Sequence, residues 1–170
     1  LQKAMRSLET GSYGFEPTDF QDEAELRRRL REPNAQRLWA VGDAFRAGLS
    51  LEEVAEESRI DPWFLRNVQE IVAYEDDIRR GDAELAAAKA MGFSDVRMAT
   101  LMGTAEEDVR IDRAGNAVHA VYKKVDTCGA EFAALTPYFY SSFDAEDESD
   151  VTDRKKIVIL GGGPNRIGQG

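Results

Sequence analysis

Apolar residues recur along this chain at helical spacing, and the interruptions carry residues that start and stop helices. Leu1, Met5 and Leu8 open the series. After Pro17, Phe20, Leu26 and Leu30 punctuate a charged stretch, predicting a helix over about 20–31 that Pro33 stops. Asn34 is placed to cap a second helix with Leu38, Val41 and Phe45 on one face and Gly48 at its end. Ser50-Leu51-Glu52-Glu53 is a capping box, in which serine and glutamate satisfy each other's orphan amides. Leu49 and Val54 flank it as a hydrophobic staple. Asp61-Pro62 begins the longest helix: the aspartate caps, and the proline sits where its missing N–H costs nothing. Phe64, Leu65, Val68, Ile71 and Val72 form its apolar stripe, and Arg79, Arg80 and Gly81 close it. Shorter helices follow over about 83–91 and 95–101, and a last one opens at Thr104 with Glu107 as a second capping box. From Val118 the pattern changes to Val121, Tyr122 and Val125, then Tyr138-Phe139-Tyr140, which implies extended or irregular backbone.

Near the end, Lys156-Ile157-Val158-Ile159-Leu160 reads as a buried strand running into the turn Gly161-Gly162-Gly163. A buried strand needs neighbours on both sides, and the chain also starts without Met. Both ends therefore read as cuts within a longer protein. Just before the strand, Asp144-Ala145-Glu146-Asp147-Glu148-Ser149-Asp150 reads as a solvated linker at a domain boundary.

Gly48-Leu49-Ser50 with Val54-Ala55 has an echo in Gly92-Phe93-Ser94 with Met98-Ala99. Each is a capped short helix followed by a turn and another helix, the outline of a helix-turn-helix. A DNA reader needs basic residues on its second helix. Here the following helices carry Glu70, Glu75, Asp76 and Asp77, then Glu106, Glu107 and Asp108, so a compact helical repeat is the better reading.

Charge supports that choice. The 170 residues hold 22 basic and 32 acidic side chains, a net charge of −10, which opposes binding to nucleic-acid phosphates or anionic membranes. The single cysteine, Cys128, excludes an internal disulfide and fits a reducing compartment. With no apolar run long enough to span a bilayer and no signal-like start, a cytoplasmic location is expected. His119 is the only histidine, so no His-pair metal site is possible, and no cluster has ligand spacing. Cys128 could act as a nucleophile with His119; beside Ala130, Phe132 and Ala133 it reads more simply as a small core residue. The glycine-rich turn could aim amides at an anion. It does not complete G-x-G-x-x-G, because Arg166 stands at the last glycine, and it lacks the Lys-Ser/Thr of a P-loop. No residue emerges as catalytic.

The run from Lys155 through Asn165-Arg166-Ile167-Gly168-Gln169-Gly170 resembles the opening of the second synthetic half of the carbamoyl-phosphate synthetase large subunit. Asp43-Ala44-Phe45-Arg46-Ala47-Gly48, Ile60-Asp61-Pro62-Trp63-Phe64-Leu65 and Tyr122-Lys123-Lys124-Val125-Asp126-Thr127-Cys128 with Ala130-Glu131-Phe132 agree with the same family. Leu1-Gln2-Lys3-Ala4 with Arg6-Ser7-Leu8-Glu9 resembles the tail of the first half. Ala120 and Gly129 depart from the family's usual proline and alanine.

The resemblance implies a mainly α fold: a compact multi-helix connection, or oligomerisation, domain over 15–150. Residues 1–14 would be the tail of the first, carboxyphosphate half. Residues 151–170 would be the first strand and glycine-rich turn of the next α/β domain, the carbamoyl phosphate half. It also implies that the parent is an ATP-dependent ligase with two ATP-grasp halves, using ATP with Mg or Mn. That enzyme makes carbamoyl phosphate from bicarbonate and glutamine-derived ammonia, for arginine and pyrimidine synthesis. Its ATP and metal ligands would lie outside this chain. The expected partners are the flanking ATP-grasp domains, a glutaminase small subunit and further copies of the chain. Arg166 and Gly170 are the positions expected along the internal carbamate passage, a guanidinium to hold the anion and a glycine to keep the wall open. Trp39 and Trp63, with Phe64 and Tyr74, are candidates for a self-association surface. The segment itself is expected to be a non-catalytic scaffold, and a DNA-binding or stand-alone helical interaction module is the alternative.

Overall fold

The computed structural model describes residues 1–135 and 138–159, in which eight helices precede one two-stranded ribbon. The helices are α1 (Gln2–Arg6), α2 (Glu23–Arg31), α3 (Arg37–Arg46), α4 (Leu51–Ser58), α5 (Pro62–Arg80), α6 (Leu85–Ala90), α7 (Asp95–Met102) and α8 (Glu106–Gly115). In the ribbon, β1 (Val121–Lys124) pairs antiparallel with β2 (Phe139–Ser142), Tyr122 opposite Ser141. One core runs through the helical body. Leu26 and Leu30 of α2, Val41 and Ala44 of α3, Val54 of α4 and Leu65, Val68 and Ile78 of α5 meet Phe93, Met98 and Val109 there. Burying a side chain of this size contributes about 1.5–3 kcal/mol.

The local start and stop signals explain most of these boundaries. Ser50 Oγ accepts from Glu53 N at 3.1 Å while Glu53 Oε2 accepts from Ser50 N at 2.9 Å, which completes the capping box of α4. Asp61 Oδ1 accepts from Trp63 N at 2.8 Å, and Gly81, at φ +76°, ends α5 in the left-handed conformation that glycine adopts without strain.

Other starts differ from the expectation. Asn34 Oδ1 accepts from Gln36 N at 2.8 Å, closing an Asx turn, so α3 begins at Arg37 instead. α8 is held by Asp108 and not by Glu107: its Oδ2 takes Thr104 Oγ1 at 2.5 Å and Ala105 N at 3.1 Å, so only half of a capping box forms. Residues 155–159 form no strand, and Ile157, Val158 and Ile159 are exposed. The described residues offer that segment no neighbouring strand, and Leu160 with the glycine-rich turn lies outside them.

The echo in the sequence is a structural repeat. Gly48 and Gly92 take φ of +88° and +92°, and the next residues, Leu49 and Phe93, donate back to Ala44 O and Ala88 O at 3.0 and 3.1 Å. Both then turn into the core. Ser50 and Ser94 cap the helices that follow, which end at Arg59 and Gly103 in the left-handed region. Leu65 and Val109 anchor the third helices. Each pair is 44 residues apart, as from 48 to 92 and from 59 to 103, so α3–α4–α5 and α6–α7–α8 are two versions of one unit. Neither presents a basic reading helix: Arg79 and Arg80 are paired with Asp76 and Asp77, and Arg110 with Glu106 and Glu107.

The α4 cap should be visible in acid. The Ser50 N–H, and after it Arg27, hold the Glu53 carboxyl at about 2 against an ordinary 4.5. A carboxyl lowered by folding stabilises fully above its unfolded value and loses that contribution as pH falls toward its folded one. Glu53→Gln should therefore lose less stability than the parent as pH drops from 4.5 to about 2, measured by urea unfolding. Equal losses in the two proteins would show that the cap carries no charge-dependent stability.

Candidate functional site

Two buried carboxylates organise the body. Glu75 of α5, 1% exposed, accepts Arg46 of α3 through two nitrogens, Nη2 at 2.9 Å and Nε at 3.2 Å. It also accepts Arg97 Nη2 of α7 at 2.7 Å and Arg79 Nη2 at 3.1 Å. Arg46 continues to Asp43 Oδ1 at 2.9 Å and to the Phe15 carbonyl, and the other Asp43 oxygen takes Thr18 N and Oγ1 at 3.0 and 2.6 Å. One chain of charged hydrogen bonds thus joins the 15–18 segment, α3, α5 and α7. Glu75 stands in the sequence among the acids Glu70, Asp76 and Asp77 that make its helix a poor DNA reader. Its signal was available, because 75 continues the spacing of Leu65, Val68, Ile71 and Val72 toward Ile78.

A second cluster docks the ribbon. Lys89, 5% exposed, donates to Phe93 O at 2.7 Å and Asp95 Oδ1 at 2.6 Å, and burial pushes its ammonium below the usual lysine range. The ring of Phe143, just after β2, lies 4.8 Å from Lys89 Nζ and 5.7 Å from the Arg113 guanidinium carbon. Lys3 Nζ reaches the Ser141 carbonyl. The acidic run is largely exposed, as expected of a solvated segment, and its Glu148 also lies along β1. Glu148 N donates to Tyr122 O at 2.8 Å, Glu148 Oε2 accepts Lys124 N at 2.7 Å, and Lys123 pairs with Glu148 at 2.9 Å.

The predicted site residues separate. Trp39, expected at an interface, is 6% exposed: its indole packs in the core and Nε1 donates to Gly14 O at 3.0 Å. Trp63 is 61% exposed and Phe64, expected in the apolar stripe, is 59% exposed. Their rings stack edge to face, centroids 4.9 Å apart, at the N-terminal end of α5. Tyr74 is half-buried against Phe93. Cys128 is half-buried in a loop outside the core, since Ala130 and Phe132 beside it are exposed, and no described bond joins it to the exposed His119. Arg166 and Gly170 lie outside the described residues. Among the described residues no three His, Cys, Asp or Glu side chains gather as a metal cluster, and no helix is long and apolar enough to cross a membrane.

A repeated helical unit locked by buried ion pairs, with an exposed aromatic edge, defines an α-helical scaffolding module. Residues 1–117 match the family of the carbamoyl-phosphate synthetase large chain oligomerisation domain, and the chain belongs to that family. It is 50% identical over its whole length to a carbamoyl phosphate synthase large chain from Neisseria meningitidis and 51% identical to one from Xanthomonas axonopodis. One from Vibrio vulnificus is 45% identical, also over the whole chain. The chain spans 16–17% of the length of these relatives.

Because Glu75 holds two mostly buried arginines, its removal leaves guanidinium groups unpaired in the core. Glu75→Ala should lower the free energy of unfolding by about 3–5 kcal/mol in chemical denaturation. A loss near that of an ordinary surface substitution, about 0.5 kcal/mol, would contradict the role assigned to the cluster.

Proposed function

We propose that this chain is a non-catalytic connector within a carbamoyl-phosphate synthase large chain, and that it self-associates through Trp63 and Phe64. One observation carries the second half of this reading. The repeat places Glu107 and Asp108 where the first unit has Trp63 and Phe64, 44 residues earlier. The same backbone is thus built with two acids, so the aromatic pair is not required by the fold. Two adjacent exposed rings are the kind of anchor that interfaces concentrate. The family name and the similarity along the whole chain support the first half.

In this reading the parent enzyme consumes ATP with Mg or Mn and converts bicarbonate and glutamine-derived ammonia to carbamoyl phosphate, for arginine and pyrimidine synthesis in the cytoplasm. No residue of this chain is assigned to ATP or metal. The helical body holds the two flanking ATP-grasp halves in register, and a glutaminase subunit is the further partner. Arg166 and Gly170 line the carbamate passage at the start of the second half. A rigid body suits the task, because an unstable intermediate crossing between sites needs a fixed, shielded route.

Sedimentation velocity over a wide concentration range tests the self-association. The parent chain should shift to a dimer or higher species as concentration rises. Trp63→Ser with Phe64→Ser should weaken that association by roughly 30-fold or more, the effect of losing about 2 kcal/mol of hot-spot contact. A strictly monomeric parent, or a double variant that associates as well as the parent, would refute the assignment.

A further inference from the structure

A cavity of about 450 Å³ opens between α2 and the start of α3, at the opposite end of α3 from the Arg46–Glu75 pair. Its lining includes Arg28, Arg29, Arg37, Glu32, Gln36 and Thr18, three guanidinium groups against one carboxylate. In a chain of net charge −10 that local excess is unusual. Arg28 is tied to Glu32 through a single nitrogen, Nη1, at 2.7–2.8 Å, and Arg29 is tied to Glu25 and Thr18. Arg37 differs from both. Its side chain makes no hydrogen bond or ion pair to any described residue, and its Nε is shut off from solvent without an acceptor. Guanidinium is a fork of five donors suited to planar and tetrahedral oxyanions, and leaving it empty while half-buried is unfavourable. α3 also begins at this cavity with no side-chain cap on Gln36 and no acid in its first turn, so its positive end is not offset by the chain itself.

We propose that this cavity is a binding site for a phosphate group, free or as a phosphate ester. A carboxylate offers two oxygens and one charge. The donors left over here, the two terminal nitrogens of Arg37 with the unused nitrogens of Arg28 and the Gln36 amide, can engage more oxygens than that, and the Arg37 guanidinium is the one positive charge in the lining with no carboxylate beside it among the described residues. A phosphate group supplies those oxygens together with the negative charge that Arg37 lacks.

Inorganic phosphate, glycerol phosphate and acetate serve as probes, titrated into this chain at fixed ionic strength. The readouts are calorimetry and the NMR signals of the Arg37 Nε–H and the Gln36 side-chain amide. Saturable phosphate binding with movement of the Arg37 signal is expected, weakened at least tenfold in Arg37→Ala. Glu32→Gln, which removes the competing carboxylate, should tighten it. Tighter binding of glycerol phosphate than of inorganic phosphate would assign the site to esters, and the reverse order would assign it to the free ion. Acetate binding as tightly as phosphate, phosphate shifts that never saturate, or binding unchanged in Arg37→Ala would each overturn the proposal. Circular dichroism of both variants shows that the helices remain, since Arg37 and Glu32 lie outside the core.

Discussion

Everything in the helical body is arranged around the carboxylate of Glu75. An isolated charge at 1% exposure would cost several kcal/mol, so the glutamate is tolerable only with its arginines in place. Arg46 comes from α3 and Arg97 from α7, and both must arrive at one point on α5. Apolar faces alone would let a helix shift along its neighbour at modest cost, whereas a two-nitrogen contact between guanidinium and carboxylate tolerates little displacement. The pair therefore sets register more than it adds stability. Through Asp43 the same constraint reaches Thr18, and through the Phe15 carbonyl it fixes the segment that leads into α2.

A different set of charges works outside the core. Arg27 of α2 contacts Glu53 and Glu57 of α4 at 2.8 and 3.2 Å, and Arg31 adds Glu57 at 2.5 Å. Pairs at the surface contribute about 0–1 kcal/mol each, and these lie at the surface edge of α2 and α4. They tie the outer edges of α2 and α4 together above the core contacts of Leu26, Leu30 and Val54, but they could not position the body without the buried cluster. The first repeat unit supplies the carboxylates of both layers, Glu53 and Glu57 outside and Asp43 and Glu75 inside. The second keeps the turns and caps, and Arg97 is its link to the first unit's carboxylate. The duplication is thus asymmetric in chemistry while its backbone is shared.

Legibility in the sequence followed the range of the interaction. Caps and stops are settled by residues three or four positions apart, so Ser50 with Glu53, Asp61-Pro62 and Gly81 could be read directly. Asn34 and Thr104 were misread as caps because each had an equally local alternative, an Asx turn and an acid one position further on. Trp39, a surface candidate, is in the core, and Phe64, which fits both the apolar stripe and the surface, is exposed. Which side of a helix start faces inward depends on where α2 and α7 pack, which no local pattern encodes. Glu75 was hidden by residue type, although its position on the apolar stripe marked it. The cavity left no signal, since Arg37 meets Arg28 and Arg29 only when α2 and α3 fold together.

Features that the fold does not use are the ones that point outward. Nearly every charged group near the core has a partner, and the ribbon's lysines are matched by Glu148 and Asp150. Against that background, the exposed Trp63–Phe64 pair and the unpaired, half-buried Arg37 have no internal purpose. One is an apolar surface that water disfavours, and the other is a cation with its donors unfilled. They lie at the starts of two different helices of the same repeat unit, where a backbone pinned by the buried cluster would present them at fixed positions. A scaffold held this rigidly can offer separate contacts without either disturbing the other, because binding at a helix start need not move the ion pairs that set the register.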